Sequence, residues 1–320
     1  LETDKKLLDE LGVSKKVREN LYYNNTMRFL GKHVSKGNLH IPVTDNSNAW
    51  SPLCADVPGI IEGYYKKIGF GKEFDKEFYK ALESIKISDA ISIDDYNLSE
   101  NDGKRNLLSF LFLCKNTEEL YSQRGISREI LYDTLSDLAI WTKIWSRKKG
   151  CLYLGELEWL SRHLKAKLFK LGRLQFCLGN AEFDIPDENI SKGDKVIEVH
   201  IPSNGEPLTY DACIKSFSKA REFFAAYFPD FDYKCFTCHS WLLDSSLKEI
   251  LKSNSNILKF QSMFKLIKED ESNAVLNYVF EWGINPEDIK NVSCTSTFAE
   301  NVKKRVLSGK SFYEGFGIVR

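Results

Sequence analysis

The stretch Lys195-Val-Ile-Glu-Val-His-Ile-Pro-Ser-Asn-Gly-Glu-Pro-Leu-Thr-Tyr-Asp-Ala-Cys-Ile-Lys-Ser-Phe217 reads as a strand, a short Gly/Pro loop and a capped helix. Val196, Glu198 and His200 alternate with Ile197, Val199 and Ile201, the period of two of a strand with one polar edge, and Pro202 stops it. Thr209 is placed as N-cap with Asp211 in the first turn, and Cys213, Phe217, Ala220, Phe224 and Tyr227 then recur at helical spacing. Backbone N–H groups of the loop and the helix start converge in such a unit, where the helix dipole favours a phosphate or a carboxylate. The competing reading of the same residues is a plain strand-to-helix connection that holds no ligand.

Around this unit the second half of the chain alternates between strands and helices. Arg173 to Phe183 and Tyr233 to Leu242 read as strands, Glu156 to Lys170 as helix or mixed, and further elements are expected over Ile257 to Leu266 and Val275 to Trp282. A helix after Asp244, one over 298–308 and a last strand near Phe312 to Val319 complete the series. Ser127 to Trp145 reads as one amphipathic helix, with Ile130, Leu131, Leu135, Leu138, Trp141 and Ile144 along a broad apolar stripe. The first 125 residues read as helical instead, with helices over Asp4 to Leu11, Lys15 to Leu30, Ser51 to Gly69, Lys72 to Ile85 and Leu107 to Gly125, and a loop over Gly37 to Asn48. A helical part followed by alternating strands and helices is an α/β or α+β pattern.

Composition limits the function classes. Forty-five basic residues balance forty-five acidic ones, so no excess charge points to a polyanion, and nucleic acid is not an expected partner. The basic runs Arg147 to Lys149 and Lys303 to Arg305 read as solvated faces. No apolar run reaches the ~18 residues of a membrane span, and Leu1 to Lys6 lacks the apolar core of a signal peptide, so no membrane partner and a cytoplasmic location are expected. Eight scattered cysteines read as reduced thiols rather than a disulfide framework. Cys235 and Cys238, three apart in a strand, face opposite ways, and no second ligand pair accompanies them, so neither a redox pair nor a metal site is expected. No Gly-x-Ser-x-Gly elbow, Walker loop or Gly-x-Gly-x-x-Gly occurs.

Three strings carry a resemblance to a known family: Lys170-Leu-Gly-Arg-Leu-Gln-Phe176, Val199-His-Ile-Pro202 with Gly205 and Pro207-Leu208, and Thr237-Cys-His-Ser-Trp-Leu-Leu-Asp244. In this order the chain resembles a bacterial acyltransferase family with a helical N-acyltransferase N-terminal domain and a GNAT-like C-terminal domain. The resemblance implies an α+β fold in which an all-helical domain over 1–125 precedes a domain over 126–320 built on a mixed, mostly antiparallel sheet flanked by helices. It further implies an acyl-CoA co-substrate. The strand 195–202 would pair with the pantetheine, and Ser203, Asn204, Gly205 and Thr209 would hold the pyrophosphate. This loop departs from the superfamily's pattern of Gln or Arg, two residues, Gly, one residue, Gly or Ala: Gly205 stands alone, Pro207 lacks an N–H, and Glu206 is negative.

Candidate chemistry follows from the same strands. Glu198 and His200 share a face of one, and His239 lies on the next with Trp241 on its face. If the two are neighbours, an imidazole of His239 or His200, supported by Glu198, takes the proton of an attacking amine or hydroxyl. The alternative is that both histidines are hydrogen-bonded structural residues. Arg173 and Gln175, expected on one face of their strand, are with Trp241 the candidates for substrate binding, and a structural salt bridge is the other reading of Arg173. Two functions compete: an acyl-CoA-dependent transferase acting on a small-molecule amine or hydroxyl acceptor by direct attack, and a non-catalytic binding protein on the same scaffold without cofactor affinity. The acyl group, the acceptor and the oligomeric state are open at this level.

Overall fold

The computed structural model describes residues 56–84 and 102–320; the expected helices at 4–11 and 15–30 and the loop at 37–48 lie outside the described residues. Helix α1, Val57–Ile68, starts at Asp56, whose side chain accepts from Gly59 N, and ends at Gly69 in the left-handed region. Val57, Ile61, Tyr64, Tyr65 and Ile68 form its buried face, the spacing of an amphipathic helix. A 3-10 turn over Lys72–Phe74 leads into α2, Asp75–Glu83. The long α3, Gly103–Gln123, is capped by Asp102 and buries residues on most of its circumference, which makes it the axis of the helical part.

The single helix expected over 127–145 is two: α4, Arg128–Leu135, and α5, Asp137–Lys149, meeting at Ser136. Both segments carry apolar stripes, so periodicity alone does not reveal the break. Helix α6, Leu157–Leu164, follows.

The sheet begins at β1, Leu168–Leu171, which turns back through Gly172 and Arg173 into β2, Leu174–Asn180. Arg173 therefore sits in the turn, not in the strand beside Gln175. Then come β3, Lys195–His200, α7, Tyr210–Tyr227, and β4, Phe236–Ser240. Short 3-10 turns over Trp241–Leu243 and Ser245–Glu249 stand where a helix after Asp244 is expected. The chain closes with α8, Asn256–Gln261, β5, Lys265–Glu271, α9, Ala274–Val279, α10, Thr297–Leu307, and β6, Tyr313–Val319.

The six strands lie in the order β1-β2-β3-β4-β6-β5, and every neighbouring pair is antiparallel except β3 and β4. The fold is thus α+β with a mixed, mostly antiparallel sheet. One face is covered by α7, whose Phe217, Ala220, Phe223 and Phe224 meet Phe169, Phe176 and Phe236 of the strands. Ser216 ties this helix to the β1–β2 turn: its hydroxyl accepts from Arg173 N at 2.8 Å and Leu174 N at 3.3 Å and donates to Ala212 O. Helices α1 to α6 share the same hydrophobic core with the sheet, and Lys170 N of β1 donates to Thr134 of α4. The site sits where these two parts meet.

Candidate active site

Strands β3 and β4 run side by side in register at only two positions, Ile197 with Phe236 and Glu198 with Thr237. Beyond that point β3 continues to His200 beside β2 and β4 to Ser240 beside β6 with no registered pair between them, so the two parallel strands part. The pleat sorts their side chains. Ile197, Val199, Phe236 and Cys238 enter the core under α7, whereas Glu198, His200, Thr237 and His239 share the opposite face with Val196. Glu198, His200 and His239 thus stand on neighbouring strands and on one face.

Two cavities meet at this opening. The larger, of about 720 Å³, is lined by Trp141, Trp159, Gln175, Trp241, Tyr278 and Trp282 among others, and the smaller, of about 210 Å³, by Arg162, Glu198 and Thr237. His200 and His239 line both. The larger has an aromatic wall: Trp141 packs edge-on against Trp282 at 5.1 Å between centroids, and Tyr278 bridges Trp282 and Trp241.

His200 Nε2 lies 3.4 Å from Glu198 Oε2 without closing a hydrogen bond, and its ring meets Trp159 edge to face at 4.6 Å. Arg162 donates to the same carboxylate at 2.8 Å. Burial opposes ionisation of Glu198, but His200 and Arg162 together hold its carboxyl below the ordinary value. The carboxylate occupies room left by Gly179, where a Cβ would overlap it. His239 is exposed, and its ring lies 6.3 Å from Phe316; it shares the cavities with His200 but makes no ion pair among the described residues.

The loop after β3 departs from a simple open cradle. Buried Arg173 donates to the carbonyls of Pro202 at 3.1 Å and Glu206 at 3.0 Å, so its guanidinium fixes the loop's shape from beneath. Asn204 accepts from Glu206 N, and the Thr209 hydroxyl accepts from Ala212 N as the cap of α7. Gly205 has φ +79° with open space around it, so a turn conformation rather than crowding calls for glycine there. Ser203 and Glu206 line the larger cavity, and Lys170 stands 3.9 Å from the Glu206 carboxylate, offsetting its charge. Trp241 lines the same cavity and stacks on Tyr278.

Four residues here were not singled out in the sequence: Asp137 of α5 and Trp159, Arg162 and His163 of α6. The last three sit at i, i+3 and i+4 on one face of a short helix, the only local signal available. Asp137 is almost fully buried, accepts from Trp159 Nε1 at 3.1 Å, and lies 3.0 Å from His163 Nε2. Burial works against its ionisation, yet His163 and the indole N–H hold its carboxyl below the ordinary value. Gln175, buried and in register with His200, is a further donor close to Asp137. Of the basic runs, Arg147 to Lys149 is exposed as expected, with Arg147 and Lys148 at the larger cavity, whereas Arg305 of the second is buried with bonds to Ser311 O and Glu249.

The buried thiols make poor nucleophiles. Burial raises those of Cys114 and Cys238 strongly and those of Cys213 and Cys235 to about 11. Cys235 and Cys238 enter different clusters on opposite faces. Among the described residues no group of His, Cys, Asp and Glu is placed to hold a metal ion, and no helix is long and apolar enough to cross a membrane.

Comparison with known proteins agrees with this architecture. Residues 72–166 match the model of the N-acyltransferase N-terminal domain and residues 168–319 that of the GNAT-like C-terminal domain, the joint falling at the start of β1. No curated protein is significantly similar. Among solved structures, a mutant acyltransferase in complex with octanoyl-CoA aligns at 26% identity and TM-score 0.60, over 67% of this chain and 65% of that one. An acyltransferase in complex with CoA and 10C-teicoplanin aligns with the same values, so this chain spans just under two thirds of the length of either. An acyltransferase in complex with decanoyl-CoA and teicoplanin, 20% identical, shares the fold over 98% of both chains at TM-score 0.61. With the two domain models meeting at residue 167 and covering nearly everything after residue 71, the chain belongs to the acyltransferase family that joins an N-acyltransferase N-terminal domain to a GNAT-like C-terminal domain.

Proposed function

We propose that the protein is an acyl-CoA-dependent N-acyltransferase that moves an acyl group to an amine, or a hydroxyl, of a small-molecule acceptor. The observation that carries this reading is the parting of the parallel strands β3 and β4 directly beside the Glu198–His200 pair. Parted strands offer unpaired backbone groups to an extended amide-bearing ligand, as a pantetheine is, and place its thioester end next to a base. The similar solved acyltransferases hold octanoyl-CoA or decanoyl-CoA, and the aromatic wall of Trp141, Trp159, Trp241 and Trp282 suits an apolar acyl chain of that kind.

In this reading the acceptor nitrogen attacks the thioester carbonyl carbon, the new C–N bond forms, and the C–S bond breaks. The His200 imidazole takes the proton lost by the amine, and Glu198, 3.4 Å from its Nε2, stabilises the imidazolium. That proton then returns to the departing thiolate. His239 lines the same cavities as an alternative proton acceptor, while Gln175 and Trp241 bind substrate. Ser203, Asn204, Gly205 and Thr209 hold the pyrophosphate end, with Arg173 supporting the loop from below. Helices α5 and α6 wall the cleft against the sheet, and the described residues of the helical domain taken as 1–125 line neither cavity.

A specific observation favours a second reading. The loop spends Glu206 N on Asn204 and carries Glu206 itself near the expected pyrophosphate, features of a scaffold without cofactor affinity. Thermal melting separates the two. A ligand at one hundred times its Kd stabilises the native state by about 2.7 kcal/mol, several degrees of Tm. Acetyl-CoA, octanoyl-CoA and decanoyl-CoA should raise Tm, the longer chains more; an unmoved Tm at millimolar concentration of all three favours the binding-protein reading.

A further inference from the structure

We propose that Asp137 is a positioning residue for His200 and acts through Trp159, so that a carboxylate of α5 sets the base held by the sheet. The inference rests on the reading of His200 as the base.

The geometry is a relay of orientation. Asp137 opens α5, and its buried Oδ2 accepts the indole N–H of Trp159 at 3.1 Å, with His163 Nε2 3.0 Å from the same oxygen. An indole has one donor, so this bond fixes the rotation of a ring that packing alone leaves with neighbouring rotamers. His163 also packs edge-on against the Trp159 ring, at 5.6 Å and 80° between rings. The indole then meets the His200 ring at 4.6 Å and 65°. His200 Nε2 has no hydrogen bond of its own among the described residues, and the Glu198 carboxylate lies 3.4 Å from it. The imidazole is therefore held between an electrostatic partner and an aromatic wall, and Asp137 controls the wall. A buried carboxylate is a weak device for stability, since desolvation works against its charge. One that ends on the ring touching the base is accounted for by position.

The test uses the full chain with an acyl-CoA and an acceptor it turns over. Trp159→Phe keeps an aromatic ring but removes the N–H; Asp137→Leu removes the acceptor; Asp137→Asn keeps an oxygen for the indole. Trp159→Phe and Asp137→Leu are expected to lower kcat roughly tenfold, the scale of a small misplacement of a reacting group, with KM for acyl-CoA within about twofold. Asp137→Asn should restore most of the loss. The double variant Asp137→Leu/Trp159→Phe should lose no more than either single change, because both cut one relay. Independently of turnover, the His200 ring signals in a ¹H–¹⁵N spectrum should move in Trp159→Phe and Asp137→Leu and stay close to their original place in Asp137→Asn. Unchanged kcat and unchanged His200 signals in Trp159→Phe, or fully additive losses in the double variant, overturn the proposal. If Asp137→Leu does not fold, Trp159→Phe and Asp137→Asn decide. Full turnover in His200→Gln would instead remove the base assignment, and the ring signals would still report whether Asp137 orients His200.

Discussion

His200 ends β3 with its imidazole between Glu198 and Trp159 and its Nε2 uncommitted, whereas His239 is exposed beside Phe316. Only the first has a carboxylate partner. His200→Gln should therefore lower turnover on the order of 100-fold, the scale of losing a general base, and flatten the acid limb of the pH–rate profile, while His239→Gln costs far less; equal losses in both variants would contradict this ranking. Glu198 gives a second, catalysis-free prediction. Its carboxyl is held below the ordinary value in the fold, so the ionised form adds stability above that ordinary value, and the addition disappears as pH falls through the lowered one. Thermal melts between neutral pH and pH 3 should show a loss of Tm that is smaller in Glu198→Gln. The pair itself was legible, because a period of two places residues 198 and 200 on one face. Asp137 and His163 were not: an acid in the first turn of a helix also suits the dipole, and their meeting depends on how two helices pack on a sheet.

At the scale of elements, the strand–loop–helix unit over 195–227 has the form its residues announce: alternation to His200, a turn at Gly205 and an α7 capped by Thr209. Its function depends on the loop. Gly205 needs its positive φ but has room for a side chain, so Gly205→Val should fold with a loss of about 1–2 kcal/mol from the left-handed backbone and should weaken acyl-CoA binding measured by calorimetry. Unchanged affinity in a folded variant would remove the loop from the binding site. Other elements were less legible for reasons that can be stated. Strand β5, Lys265–Glu271, is an edge strand with charges on both faces, so no alternation marks it. Strand β1 has four residues, too few to show a period, and is set apart from β2 only by the turn at Gly172 and Arg173.

Over the whole molecule one hydrophobic core runs from α1 to α8 and through β1 to β4, and the candidate site lies along its edge, between α5 and α6 on one side and the opening of β3 and β4 on the other. The α+β architecture was legible because the chain changes from a helical to a strand period, but the cleft was not, since it is lined by residues from 137 to 282 that only the packed fold brings together. In the proposed function an acyl-CoA enters where β3 and β4 part. Amide hydrogen exchange with and without decanoyl-CoA tests it most directly. Binding should slow exchange at the amides of 199–201, 203–205 and 238–240 and leave the outer strand β5 unaffected; if those amides exchange as before, or a different surface is protected, acyl-CoA does not enter there.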